Sequence, residues 1–124
     1  MNLKFLIGVS ILLLATWSFH SPAPRESGIE GQVLIGPMCS VVQQGQSCPD
    51  QPYQATLTVK SPSGGMIVQF QTDGQGHFRI PLEPGQYILH PESLAGIPFA
   101  ADQAIVVGAG QYTQLLVNYD SGIR

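Results

Sequence analysis

From Ile29 to Tyr119 apolar and polar positions alternate with a period of two, in short runs bounded by Gly, Pro, Asp and Ser. That period places every second side chain on one face and predicts strands rather than helices. The first run, 29–35, puts Ile29, Val33 and Ile35 on one face, with Gly31 leaving a gap. Gly36-Pro37 ends it, and 38–52 is a long irregular insertion. Residues 54–60 follow, with Ala55, Leu57 and Val59 inward and Thr56, Thr58 and Lys60 outward. The turn Ser61-Pro62-Ser63-Gly64-Gly65 then returns the chain as 66–72, with Met66, Val68 and Phe70 inward, which predicts a hairpin.

Asp73-Gly74-Gln75-Gly76 predicts the next turn, since a carboxylate can cap it and glycine accepts positive φ. Phe78, Ile80 and Leu82 face the core after it. Pro81 has no N–H for a ladder, so this strand belongs at a sheet edge. Glu83-Pro84-Gly85 has the order of a type II turn, followed by inward Tyr87 and Leu89. After a loop over 91–102, residues 103–107 and 112–119 form an expected hairpin around Gly108-Ala109-Gly110, with Thr113, Leu115, Val117 and Tyr119 inward. The expectation is an all-β, seven-stranded antiparallel Greek-key β-sandwich.

The N-terminus follows a different pattern. Lys4 precedes a run, Phe5 to Trp17, that is apolar apart from Gly8, Ser10 and Thr16. The run is short of the ~20 residues a membrane helix needs and fits an export signal. Small residues in Thr16-Trp17-Ser18 and in Ser21-Pro22-Ala23 offer two cleavage sites, the second disfavoured by Pro24. The expected organisation is a signal peptide over 1–23, a proline-restricted linker over 24–28, the sandwich over 29–120 and a tail over 121–124. The expected location is periplasmic or extracellular, and the alternative is a membrane tether through an uncleaved N-terminal segment. No cysteine follows the apolar run, which argues against lipoprotein acylation.

An exported chain with two cysteines, Cys39 and Cys48, is expected to join them. A ring of about ten residues is worth roughly 2.5 kcal/mol by loop entropy. Metal binding needs more than two thiols, and redox exchange favours Cys-x-x-Cys spacing. The formal net charge is −3, and beyond Lys4 the cations Arg25, Lys60, Arg79 and Arg124 are scattered. Nucleic acid and anionic lipid are therefore not expected partners, because both demand clustered cations.

The succession Gly31-Gln32-Val33, then Ala55-Thr56-Leu57-Thr58-Val59, then Thr72-Asp73-Gly74-Gln75-Gly76-His77-Phe78, then Leu82-Glu83-Pro84-Gly85-Gln86-Tyr87 resembles the carboxypeptidase regulatory-like domains. The resemblance implies a transthyretin-like (prealbumin-like) sandwich from about Ile29 to Tyr119, and an accessory or binding module rather than a specific activity. The 39–48 insertion lies outside that pattern.

Candidate chemistry is sparse. A transthyretin-like hydrolase acting on hydroxyisourate ends in Tyr-Arg-Gly-Ser, whereas this chain ends Tyr119-Asp120-Ser121-Gly122-Ile123-Arg124. His77 and Arg79, two apart on one strand, would be its candidates. There is no His-Glu-x-x-His or Gly-x-Ser-x-Gly motif, and His90-Pro91-Glu92 is too tight to present two ligands to one ion. Ser93 near His90 lacks a defined geometry for nucleophilic catalysis. Asp73-Gly74-Gln75-Gly76 has one carboxylate where a calcium loop has several oxygens. Leu34, Ile67 and Ile88 fall on nominally polar faces and could form a patch for a partner. The expected function is a small exported non-enzymatic module, binding or structural, of a bacterial cell envelope. It needs no catalytic residues and no cofactor or metal, and its partner is an envelope protein or polymer. The alternatives are the hydrolase and a carrier of a small apolar ligand in a dimer groove.

Overall fold

The computed structural model describes residues 26–40 and 47–124. The expected signal and its cleavage sites, the linker up to Arg25, and 41–46 lie outside the described residues. Among the described residues there is no helix, and eight strands form two four-stranded sheets. They are β1 (Gly28–Gly36), β2 (Gln51–Pro52), β3 (Thr56–Lys60), β4 (Met66–Gln71), β5 (His77–Pro81), β6 (Gly85–Pro91), β7 (Gln103–Val107) and β8 (Tyr112–Asp120).

In the first sheet β8 runs along one side of β1 for its whole length. The other side is shared by β5, opposite Gly28–Gln32, and β2, opposite Leu34 and Ile35. The second sheet has the order β4-β3-β6-β7, all antiparallel. The inward faces meet in one core of Ile29, Val33, Leu57, Val59, Leu89, Ile105, Val107, Val117 and Tyr119, each almost fully buried. These are the positions that the two-residue period marks. At ~25 cal/mol per Å² of apolar area, their burial is the main stabilising term.

The sandwich expectation holds, with three corrections. First, an extra two-residue strand, β2, follows the Cys39–Cys48 insertion; two residues are too few to show any period. Second, the last two strands do not form a hairpin. β7 pairs with β6 in the second sheet, and β8 pairs in parallel with β1 in the first, so the sandwich is not wholly antiparallel. The Gly108–Gly110 connection crosses between sheets, with Gly110 at φ 72°. A hairpin and a crossover both keep Ile105, Val107, Val117 and Tyr119 inward, so alternation alone cannot separate them. Third, Met66 is exposed rather than inward, because a register shift at Val59/Lys60 breaks the alternation at the start of β4.

The turns carry their expected chemistry in one case and not in another. Asp73 Oδ1 accepts from the amides of Gln75 (2.9 Å) and His77 (2.8 Å), and Gly76 sits at φ 77°. Gly85, at φ 155°, is far from the about +80° of a type II turn. It opens β6 opposite Val107, and the Tyr87 hydroxyl closes the corner by donating to Glu83 O at 2.6 Å. β5 lies at a sheet edge with Pro81 exposed, as its proline requires. The Cys39–Cys48 disulfide is formed, with the Cα atoms 6.2 Å apart.

Candidate functional site: an overhung groove on the second sheet

The outer face of β3 is not solvated where the period predicts it to be. Thr58 is buried there, donating to Glu92 Oε2 at 2.6 Å and accepting from Gln69 Nε2 at 3.0 Å. The cover begins at the β6–β7 connection. Glu92 N donates to Thr56 O at 2.9 Å, and Ser93 Oγ donates to Pro98 O at 2.6 Å, closing a small loop. Gly96 turns that loop at φ 80°, a conformation that disfavours any side chain. Phe99 and Asp120 exchange both backbone hydrogen bonds, at 3.1 and 2.7 Å, which fixes the far end to β8.

A loop pinned in this way displays apolar side chains outward. Leu94 is wholly exposed, Ile97 is 62% exposed and Phe99 is 56% exposed. Between the loop and the sheet lies a groove of about 540 Å³. Its floor is Gln54, Thr56, Gln69 and Gln71, with Leu94 and Ile97 on its wall. Glu92 is the one charged residue among the described residues lining it. The floor is therefore neutral and rich in amide donors and acceptors, and the wall is apolar. Such a surface binds by hydrogen bonding and burial rather than by charge.

Beside the groove, His90 Nδ1 lies 2.7 Å from Asp102 Oδ1, and its Nε2 lies 3.7 Å from Glu92 Oε2. His90 on β6 and Glu92, just past the strand's last residue Pro91, thus meet on one side. The ring joins the end of β6 to the approach of β7. Ser93 is not part of this arrangement, since its hydroxyl is committed to Pro98 O. The hydroxyl that does reach the cluster, Thr58, donates to Glu92. No group of three or more His, Cys, Asp or Glu side chains is arranged to hold a metal ion among the described residues.

His77 and Arg79 share a face as expected, but on the opposite sheet. They line an open polar saddle with Glu30, Gln32, Asp73 and Gln114. Arg79 is engaged there: Nη1 lies 3.3 Å from Glu30 Oε2, and the guanidinium stacks 3.8 Å from the centre of the Tyr112 ring. Leu34 also belongs to the first sheet, whereas Ile67 and Ile88 belong to the second, so the three form no single patch. The apolar patch at Leu94, Ile97 and Phe99 was missed because it lies in a loop without period. Its signal is the run Leu94-Ala95-Gly96-Ile97-Pro98-Phe99, too apolar for an ordinary solvated connection.

Tyr119 and Asp120 both titrate away from their ordinary values. Tyr119 is pushed up to about 12 by burial, with Tyr53 and Glu92 adding to the effect. Its hydroxyl donates to Glu92 O at 2.8 Å. Asp120 is held down at about 2, chiefly by the hydrogen bonds from Arg124 and then by the Gly122 amide.

No protein family's sequence profile matches the chain, and no curated protein matches it. Among solved structures the chain is similar to GBS52, the minor pilin of the Gram-positive pathogen Streptococcus agalactiae, with a TM-score of 0.56 and 15% identity over 79% of this chain and 46% of that one. It is also similar to the Bacillus anthracis TIE protein, with a TM-score of 0.50 and 18% identity over 77% of this chain and 17% of that one. The chain thus spans less than half the length of either structure. At these identities the likeness is one of fold alone.

Proposed function

We propose that the chain is a small exported, non-enzymatic β-sandwich module of a bacterial cell envelope that binds an envelope protein or polymer through the overhung groove. The observation that carries this reading is the apolar loop, pinned at both ends, that holds Leu94 and Ile97 in solvent beside a neutral, amide-rich floor. Exposing such side chains on an ordered loop has a cost that association relieves. The disulfide supports an oxidising location. The fold likeness to a minor pilin supports a surface role, and the motif order resembling carboxypeptidase regulatory-like domains supports an accessory one. Arg79, held by Glu30 and Tyr112, is poorly placed to serve a hydrolase.

The test is a titration of isotope-labelled protein with purified envelope polysaccharide and, separately, with solubilised envelope proteins. Saturable amide shifts at Gln69, Gln71, Leu94 and Ile97 are expected, and the double variant Leu94→Ser/Ile97→Ser should lose them while melting as the wild type does. Shifts confined to the His77 and Arg79 face, or hydroxyisourate turnover abolished by His77→Ala, would overturn the reading in favour of an enzyme.

A further inference from the structure

The four sheet edges are not treated alike. Unpaired strand edges invite pairing with another chain, and natural sandwiches block them with charge, proline, brevity or cover. β5 carries His77, Arg79 and Pro81 within five residues, and β2 is two residues long and ends in Pro52. β7 and β8 cover one another: Thr113 Oγ1 donates to Val106 O at 2.7 Å, and Gln103 Nε2 donates to Leu116 O at 3.0 Å. β4, Met66-Ile67-Val68-Gln69-Phe70-Gln71, has none of these, only the register shift against Val59/Lys60 at its start. It holds no charge and no proline, and among the described residues no bond from outside its own ladder reaches its backbone.

The register shows which groups are free. Thr72 N donates to Ala55 O at 2.9 Å, next to the pairs Thr56–Gln71, Leu57–Phe70 and Val59–Val68. In an antiparallel ladder hydrogen-bonded pairs alternate with non-bonded ones. Phe70 and Val68 therefore bond inward to β3, and the N–H and C=O groups of Gln69 and Gln71 point away from the sheet; the register shift at Val59/Lys60 ends the alternation before Ile67.

We propose that β4 is a self-association edge that pairs antiparallel with β4 of a second copy of this chain, about a two-fold axis at Gln69. In that register Gln69 faces Gln69, Ile67 faces Gln71 and Val68 faces Phe70 of the other copy. The central pair that alternation requires to exchange hydrogen bonds, Gln69 with Gln69, is one whose backbone groups are free. A two-fold axis sets a residue opposite itself, so a charge near its centre would repel its own copy. This strand has none. Val68 against Phe70 is a β-branched–aromatic pair, a favourable cross-strand match. A second copy supplies uncharged backbone and the same side chains, and so meets every requirement of this edge. The edge adjoins the groove, whose floor includes Gln69 and Gln71, but the inference rests on the β4 backbone and not on the 93–99 loop.

The test uses protein purified after expression of the full chain, followed by sedimentation up to about 1 mM, where even weak pairing registers. A reversible monomer–dimer equilibrium is expected. The amide of Gln69 should gain exchange protection with concentration, while those of Val68 and Phe70 are protected throughout. Gln69→Lys sets two ammonium groups against each other and should weaken the dimer roughly tenfold or more, whereas Gln69→Ala, which loses the same bond to Thr58 without adding charge, should not. Val106→Lys on β7 and Leu94→Ser on the groove wall should leave the dimer intact. A chain that stays monomeric at about 1 mM, a dimer indifferent to Gln69→Lys, or protection of the β4 amides only after another envelope protein is added would each overturn self-pairing.

Discussion

Thr72 shows how much one side chain holds. It is buried where the β4 ladder ends, and its Oγ1 accepts from Ala55 N at 2.9 Å while lying 3.3 Å from Tyr53 O. Thr72→Val keeps the shape and removes the hydroxyl, leaving the buried Ala55 amide without a partner. The expected loss is about 1–3 kcal/mol, the range for an unsatisfied buried donor, measured by denaturant unfolding against Thr72→Ser, which should retain most of the stability. Leu57 tests the apolar counterpart. It is wholly buried at the centre of the second sheet, and Leu57→Ala should cost about 2–5 kcal/mol. The inward role of Leu57 was legible because the two-residue period marks it. The burial of Thr58 beside it was not, because the same period assigns it to solvent, and its cover comes from Glu92 and Gln69, distant in sequence.

At the scale of elements, a covalent bond closes the connection between β1 and β2. Cys39 and Cys48 stand nine residues apart and are joined. Cys39→Ser should lower stability by about 2–3 kcal/mol if the ring acts through loop entropy, and the melting temperature of the wild type should fall similarly on reduction. Equal melting curves with and without reductant would show that the insertion unfolds independently of the sandwich. The pairing was legible from two cysteines in a chain whose N-terminal sequence reads as an export signal. The short β2 that the insertion feeds was not, since its place beside Leu34 and Ile35 is set by β1. The β6–β7 connection was read as a plain loop, because what makes it a site is the rigidity supplied by Ser93–Pro98 and Phe99–Asp120, which no local pattern encodes.

Across the whole molecule, the last strand ties the structure together, and it also sets how the protein should respond to extremes of pH. β8 runs parallel to β1, bonds the groove loop through Asp120, and buries Tyr119 against Tyr53 at 5.0 Å. The Tyr119 phenol is raised in the folded state from 10.0 to about 12. A raised folded value means that the fold holds the proton more tightly than the unfolded chain does. The associated stability is complete below pH 10.0 and is lost as pH rises through about 12. The Asp120 carboxyl is lowered from 3.8 to about 2, so its contribution has the opposite sense. It is present above pH 3.8 and disappears as pH falls through about 2, releasing Arg124 and the Gly122 amide. Because this carboxylate lies at the surface, acid should loosen the 121–124 tail without unfolding the sandwich, and carbon-detected titration of Asp120 should follow it. Alkali should act globally, because Tyr119 lies in the core. Tyr119→Phe should cost about 1 kcal/mol at neutral pH, through the lost bond to Glu92 O, and should flatten the decline between pH 10 and 12. If that variant declines as steeply as the wild type, the alkaline weakness has its origin in another group, and Tyr119 is not the proton that couples the core to pH.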